Sequence, residues 1–224
     1  MPPPQPSEPR RNRVTPYGQV IAVADRGLFW GNRGALVDGD GQLARYSRGR
    51  AWLICVLSFK GRRRVQWTPG RLTELFFLDE ATALAAGHRP CGECRHRDYS
   101  AFKQCWAAAF GAARPGALPG AQEIDARLHA DRLAPGPARR DRFAGASVRR
   151  TYRAAASALP DGAMVSLDGS PWLVHHGDLL RWTPGGYQQR RPAAAAGDVE
   201  VVTPRATVAV LAAGYAPVLH PTAA

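Results

Sequence analysis

Short apolar runs divided by glycine-rich turns fill the first part of the chain. Residues 18–46 hold several such runs around an Asp-Gly-Asp-Gly turn, a pattern that predicts strands joined in a hairpin. Residues 51–59 predict a strand that is apolar on both faces, and residues 73–78 predict another. Asp79 suits the N-cap of the short alanine-rich helix that follows, and Gly87 suits its end.

Helical and strand-like patterns alternate irregularly in the rest of the chain. Tyr99, Phe102, Trp106 and Phe110 recur at intervals of three and four, which predicts an amphipathic helix that packs these rings in a core. Further helices are predicted in the segments AQEIDARLHADRL, VRRTYRAAASAL and TVAVLAAGY, and short strands in AMVSLDG, SPWLVHHG, DLLRWTPGGY and DVEVVTP. Turn signals rich in glycine and proline separate these strands.

This mixture predicts an α+β fold of short mixed strands with a few helices, because strands and helices do not alternate as a doubly wound sheet requires. The proline-rich residues 1–14 hold almost nothing to bury and are predicted to form a disordered arm. Residues 15–112 are the predicted first half, residues 113–145 a linker and a helix, and residues 146–224 a β-rich C-terminal region.

Basic residues outnumber acidic residues in this chain, 30 to 18. The 224 residues carry a formal net charge of +12, which favours a polyanionic partner such as nucleic acid. No apolar run approaches the roughly 20 residues of a membrane-spanning helix, and the N-terminus lacks the apolar stretch of a secretory signal. We therefore expect no membrane span and a cytoplasmic protein whose four cysteines are reduced or metal-bound.

The segment AGHRPCGECRHRDY carries the densest candidate chemistry in the chain. Cys91 and Cys94 are spaced as C-x-x-C, and Gly92 permits the tight turn that lets two thiolates bind one ion, for which zinc is the expected metal. A closed zinc site needs four ligands, and the sequence has no second C-x-x-C. The candidates for the missing ligands are Cys55, Cys105, His88 and His96.

Two other interpretations of this cysteine pair stay open at the level of sequence. The cysteines can be two reduced thiols in a turn that joins two elements. They can also carry redox or alkyl-acceptor chemistry, since Arg89, Arg95 and Arg97 and the N-terminus of a following helix would lower a thiol pKa.

The longer segment FFLDEATALAAGHRPCGECR resembles the second half of the metal-binding domain of Ada-type DNA alkylation-repair regulators. The shared pattern is an aromatic strand, an alanine-rich helix and a G-aromatic-R-P-C-x-x-C-R run, in which His88 stands in place of the aromatic residue. In that family four cysteines hold zinc, and one cysteine of the earlier pair accepts a methyl group from a DNA phosphotriester. The resemblance implies that residues 15–112 are an Ada-like region of the metal-binding type, with Cys91 and Cys94 as the later pair of ligands.

The earlier cysteine pair of that family has no counterpart in this chain. The run KGRRR, residues 60–64, occupies the place between strands where the pair would lie. Cys55 is the only upstream thiol, and it lies within the strand predicted over residues 51–59. His96 lies two residues beyond Cys94 and can reach the same ion. The predicted metal ligands are Cys91, Cys94, His96 and Cys55, with zinc as the cofactor.

Arginine side chains supply the predicted nucleic-acid contacts. Three consecutive arginines shortly before Trp67 would bind phosphate and stack on a base, and a solvated turn is the simpler alternative. The full predicted set is Arg62, Arg63, Arg64, Arg89 and Arg95. The leading hypothesis is a nucleic-acid-binding protein, with DNA favoured over RNA, that carries a zinc-holding site. The alternative is a thiol enzyme, redox or alkyl acceptor, that uses one cysteine of the C-x-x-C pair.

Two adjacent histidines, His175 and His176, precede a Gly-Asp turn signal. Neighbouring residues on a strand point to opposite faces, so we expect only one of the two rings to join any given cluster. The sequence therefore favours a turn-flanking role for this pair over metal ligation.

Overall fold

The computed structural model describes residues 9–62, 66–112, 114, 116–134 and 149–224. The first part holds β1 (Arg11–Val14), β2 (Val20–Ala22), β3 (Phe29–Asn32), β4 (Leu53–Val56), β5 (Leu75–Phe77), α1 (Glu80–Ala85), β6 (Arg89–Pro90) and α2 (His96–Phe110). Its strands form one sheet in the order β2-β1-β5-β3-β4-β6. In this sheet β1 with β5 and β4 with β6 are parallel, and the other pairs are antiparallel.

The second part is dominated by an antiparallel sheet. Its elements are α3 (Ala121–Arg132), β7 (Tyr152–Ala155), β8 (Met164–Leu167), β9 (Ser170–His175), β10 (Asp178–Thr183), β11 (Gly186–Pro192), β12 (Asp198–Val201) and α4 (Arg205–Ala212), with 3₁₀ turns at Ala156–Ala158, Ala193–Ala196 and Pro221–Ala223. The strand order is β11-β10-β9-β8-β12-β7. The predicted α+β fold is confirmed, because a mixed sheet with helices is followed by an antiparallel sheet.

Local signals set both ends of α1, as the sequence predicts. The Asp79 Oδ1 atom accepts hydrogen bonds from the backbone amide of Thr82 at 2.9 Å and from its hydroxyl at 2.7 Å. At the other end Gly87 adopts a φ of +89°, and the amides of Gly87 and His88 donate to carbonyls in the last turn of the helix. This is a Schellman ending, which favours glycine at the residue with positive φ.

The aromatic stripe of α2 packs in the core as predicted, except at its end. Phe102 and Trp106 are buried and Tyr99 is partly buried, whereas Phe110 is 38% exposed. Phe102 also meets Tyr215, from the segment after α4, edge to face with 5.2 Å between the ring centroids. Core packing therefore accounts for the spacing of these rings.

Two predicted segments differ from the structure. The disordered arm predicted over residues 1–14 does not include residues 11–14, because β1 pairs with β2 and β5 and buries Asn12 and Val14. The helix predicted around Tyr152 is instead β7 followed by a 3₁₀ turn, since pairing with β12 outweighs the helix propensity of its alanines. Residues 1–8 and 135–148 lie outside the described residues.

The two sheets share one hydrophobic core. Side chains from β3, β5 and α2 belong to the same buried cluster as side chains from β8, β9 and α4. Polar contacts also join the halves, since Tyr187 donates its hydroxyl to Asp79 at 2.7 Å and Tyr215 donates to Glu80 at 2.6 Å. Across the described residues, no helix combines the length and the apolar character needed to cross a membrane.

Candidate metal centre

Cys55, Cys91 and Cys94 come from two segments that strand pairing brings side by side. Cys55 lies on β4, which pairs in parallel with β6 so that Ile54 is opposite Pro90. The amide of Cys91 then donates to the carbonyl of Ile54 at 2.9 Å. The C-x-x-C turn therefore begins beside Cys55, and we call these three cysteines the thiol centre.

Backbone bonds fix the turn between the two later cysteines. The amide of Glu93 donates to the Sγ atom of Cys91 at 3.4 Å, and the amide of Arg95 donates to the Cys91 carbonyl at 3.1 Å. Gly92 packs closely on the helix that follows, because a Cβ atom there would lie 3.2 Å from the ring of Tyr99. As a result, the three Sγ atoms of the thiol centre lie within 4.8 Å of one another.

The three thiols have different proton affinities. A hydrogen bond with Cys55 lowers the pKa of Cys91 to about 5, and backbone amides in the turn act in the same direction. The same hydrogen bond, followed by burial, raises the pKa of Cys55, and burial raises the pKa of Cys94. The hydrogen bond between the two thiols therefore favours the thiolate form of Cys91 and the protonated form of Cys55.

A soft divalent ion fits this donor set. Zinc–thiolate bonds of about 2.3 Å in a tetrahedral site place two sulfur atoms about 3.8 Å apart, so the sulfur atoms need to move by less than ~1 Å. A bound cation also favours the thiolate form of each ligand. The three clustered thiols are thus compatible with a metal such as zinc.

The other candidate ligands lie elsewhere. Among the described residues, no further histidine, cysteine or carboxylate lies within 4.8 Å of all three sulfur atoms. His96 begins α2 with an exposed side chain, and Cys105 packs at the edge of the core. His88 is buried with both ring nitrogens engaged, since Nε2 accepts from Arg33 and Nδ1 pairs with the carbonyl of Ala83.

A cavity of about 280 Å³ adjoins the thiol centre. All three cysteines line it, together with the rings of Trp30 and Phe76. Glu74 also lines the cavity, is 6% exposed, and accepts a hydrogen bond from the amide of Trp67 at 3.3 Å. Three protein ligands beside a cavity are typical of an open metal site, in which water or a small molecule takes the fourth position. A closed structural site has four protein ligands.

Three of the four predicted metal ligands meet in the thiol centre, and His96 does not join them. No family model, curated protein or solved structure matches this chain. The sequence does not single out Glu74, because it stands in a short segment that is typical of a strand.

Two of the predicted nucleic-acid contacts form buried ion pairs instead. Arg89 donates two hydrogen bonds to Asp125, both at 2.8 Å, and Arg95 donates two to Glu80, at 2.7 and 2.8 Å. The two arginines are only 5% and 4% exposed. Their guanidinium groups hold α3 and α1 in place, so the expectation that they contact a phosphate backbone is corrected.

Arg62 keeps an exposed position. Its guanidinium forms an ion pair with Glu93 at 2.8 Å, and both residues line the cavity beside the thiol centre. Arg63 and Arg64 lie outside the described residues. Of the five arginines in the predicted set, Arg62 is thus the one that the described structure places at the surface.

The histidine pair at the end of β9 departs from its prediction. His176 has a φ of +50° and leaves the path of the strand, which places its ring beside that of His175 with 4.0 Å between centroids. Asp161 joins them, and one ligand atom from each residue lies within 4.8 Å of the others. The expectation that only one ring joins a cluster is wrong, because alternation holds only along an extended strand. We call Asp161, His175 and His176 the histidine group.

Proposed function

We propose that the thiol centre binds one zinc ion and that residues 15–112 act as an Ada-like metal-binding region. The observation that carries this proposal is the meeting of three thiols from two separate segments beside a cavity. Cys91 and Cys94 match the later cysteine pair of Ada-type regulators, and Cys55 supplies a third thiol from β4. Bound zinc would stabilise the thiolates and act as a Lewis acid toward a molecule in the cavity.

Elemental analysis of full-length protein purified without chelator tests the zinc proposal. We expect zinc in the wild type and loss of the zinc of this centre in Cys91→Ser, because the remaining two thiols bind the ion weakly. Cys105→Ser is the matched control, since it changes a partly buried cysteine outside the centre. Equal zinc content in the two variants would exclude the thiol centre as a binding site.

We extend the proposal to a nucleic-acid partner, DNA rather than RNA. The formal net charge of +12 and the exposed guanidinium of Arg62 at the cavity support this partner. The Ada-type resemblance favours DNA. Arg89 and Arg95 add nothing to the proposal, because buried carboxylates already neutralise them.

Filter binding of a labelled DNA duplex over a range of salt concentrations tests the partner. Affinity should fall steeply with salt, and Arg62→Ala should reduce the slope of log affinity against log salt by about 1. An RNA duplex of the same sequence provides the comparison of partners. Absence of retention at low salt would refute a nucleic-acid partner, whatever the zinc content.

A second candidate function is that of a thiol enzyme that accepts an alkyl group. The observation in its favour is that Cys91 and Cys94 line the cavity, with Cys94 only partly buried. In such a step a thiolate sulfur attacks the carbon of an alkylating agent. An S–C bond forms while the bond to the leaving group breaks, and the leaving group departs with the electron pair.

Brief treatment with iodoacetamide, followed by mass spectrometry of peptides, separates the two functions. Fast modification of Cys91 or Cys94 in the zinc-loaded protein favours the thiol enzyme. Protection of both cysteines by zinc, with reaction restored after zinc removal, favours the zinc-holding site. Cys105 serves as the internal reference thiol, since it lies outside the centre.

A further inference from the structure

The turn between β9 and β10 sets two imidazole rings side by side. His175 pairs with Asp178 across the hairpin, so His176 and Gly177 form a two-residue loop. Their φ angles are +50° and +79°, the positive values that a type I′ turn requires at both positions. Histidine is among the residues that enter this region more readily than most. The ring arrangement therefore follows from the hairpin itself.

Asp161 completes the histidine group from a neighbouring turn. One of its carboxylate oxygens accepts a hydrogen bond from the amide of His176 at 2.8 Å, and the other lies 3.0 Å from the Nδ1 atom of the same residue. The carboxylate is thus anchored to the backbone of the hairpin. Its position toward the two rings is set before any ligand arrives.

One buried atom of the histidine group has no hydrogen-bond partner in the described part of the chain. The Nδ1 atom of His175 is shielded from solvent and makes no hydrogen bond there. Shielded ring nitrogens normally have a partner, because an unpaired one loses its hydration without compensation. The exposed ion pair between His176 and Asp161 accounts for the position of those two side chains. It does not supply a partner for the Nδ1 atom of His175.

We propose that Asp161, His175 and His176 bind a divalent transition-metal ion of the zinc, nickel and copper class. Imidazole nitrogens suit these ions, whereas magnesium and calcium prefer sites built from oxygen. Two imidazoles and one carboxylate leave coordination positions for water or a small molecule. A cavity of about 390 Å³ adjoins all three residues and is also lined by Tyr215 and Leu219. The site belongs to the second sheet and does not depend on the thiol centre.

Zinc stoichiometry separates the two sites. The full chain is titrated with zinc chloride against a chromophoric chelator, as wild type and as the double variants His175→Asn/His176→Asn and Cys91→Ser/Cys94→Ser. The wild type is expected to bind two zinc ions, and each double variant one. His96→Asn is the matched control, because it changes an exposed histidine outside both groups and should leave two ions bound.

Each failure has its own signature. Equal zinc in the wild type and the histidine double variant would overturn the histidine site and leave the thiol proposal untouched. Equal zinc in the wild type and the cysteine double variant would overturn the thiol proposal and leave the histidine site untouched. In the cysteine double variant, zinc should also shift the ring signals of His175 and His176 in nuclear magnetic resonance spectra, whereas the His96 signals stay in place. Ring signals that do not move would likewise refute the site.

Discussion

The thiol centre depends on contacts between distant segments, whereas the histidine group depends mainly on one turn. β4 and β6 must pair before Cys55 meets the C-x-x-C turn, and buried ion pairs support that part of the sheet. The histidine rings meet because two consecutive residues adopt positive φ, with Asp161 hydrogen-bonded to the same turn. Loosening the first sheet should therefore disturb the thiol centre more than the histidine group, and changing the turn should do the reverse.

The largest effect is expected from Glu80→Ala. This substitution leaves the guanidinium of Arg95, one residue after Cys94, without its bidentate partner, and both side chains of the pair are at most 2% exposed. Arg95 then keeps only the ion pair of its Nε atom with the half-exposed Asp98, and loss of the buried partner should lower the free energy of unfolding by about 3–5 kcal/mol. It should also weaken zinc binding at the thiol centre, and weaken it less at the histidine group, where Glu80 touches only the cavity-lining Tyr215. Urea denaturation and zinc titration measure the two effects.

Arg191→Ala is the control for that buried pair. It removes an ion pair with Asp168 whose side chains are 51% and 72% exposed. Exposed ion pairs contribute less than ~1 kcal/mol to stability, so the free energy of unfolding should fall by no more than that amount. A similar loss of stability in Glu80→Ala and Arg191→Ala would contradict the view that the buried pair supports the thiol centre.

Gly177→Ala should have an intermediate effect that is confined to the histidine group. Gly177 has a φ of +79°, and an L-residue in the left-handed region costs about 1–2 kcal/mol. We expect that loss in unfolding free energy, together with weaker zinc binding by the histidine group and unchanged binding by the thiol centre. Gly39→Ala is the matched control, because its φ is not positive and a Cβ there meets nothing within 4 Å. Loss of zinc from the thiol centre in Gly177→Ala would break the separation of the two sites.

Asp161→Asn should affect metal binding more than stability. The side chain is exposed and its ion pair with His176 is a surface pair, so the free energy of unfolding should change by less than ~1 kcal/mol. Zinc titration should show weaker binding at the histidine group, because a neutral amide replaces the anionic ligand. Unchanged affinity would mean that the carboxylate is not a ligand.

The smallest effect is expected from His96→Asn. The side chain is exposed at the start of α2 and does not join the thiol centre, so stability should change by less than ~0.5 kcal/mol. Zinc content should match that of the wild type. Loss of zinc from the thiol centre in this variant would restore His96 as a fourth ligand.

The features that could be predicted from sequence are those set by near neighbours along the chain. Asp79 and Gly87 end α1 as predicted, because both caps bond only to residues of that helix and its flanks. Cys91 and Cys94 meet because a four-residue turn joins them. The sequence offers Cys55 only as one of several candidate metal ligands, because its position beside the turn depends on the pairing of β4 with β6.

The features that could not be predicted depend on distant partners or on a single backbone angle. Arg89 and Arg95 resemble surface arginines in the sequence, and only the fold brings Asp125 and Glu80 against them. The alternation of faces predicts opposite faces for the two histidines only if the strand continues through His176. The positive φ of His176 ends the strand and reverses that expectation.

X-ray absorption at the zinc edge, recorded on zinc-loaded His175→Asn/His176→Asn, tests the thiol centre most directly, because this variant removes the second proposed site. We expect three sulfur atoms at about 2.3 Å from zinc and one lighter ligand that completes the shell. The spectrum should lose its sulfur component when Cys91→Ser and Cys94→Ser are added. Zinc bound without sulfur neighbours, or no bound zinc in the histidine variant, would contradict the proposed centre.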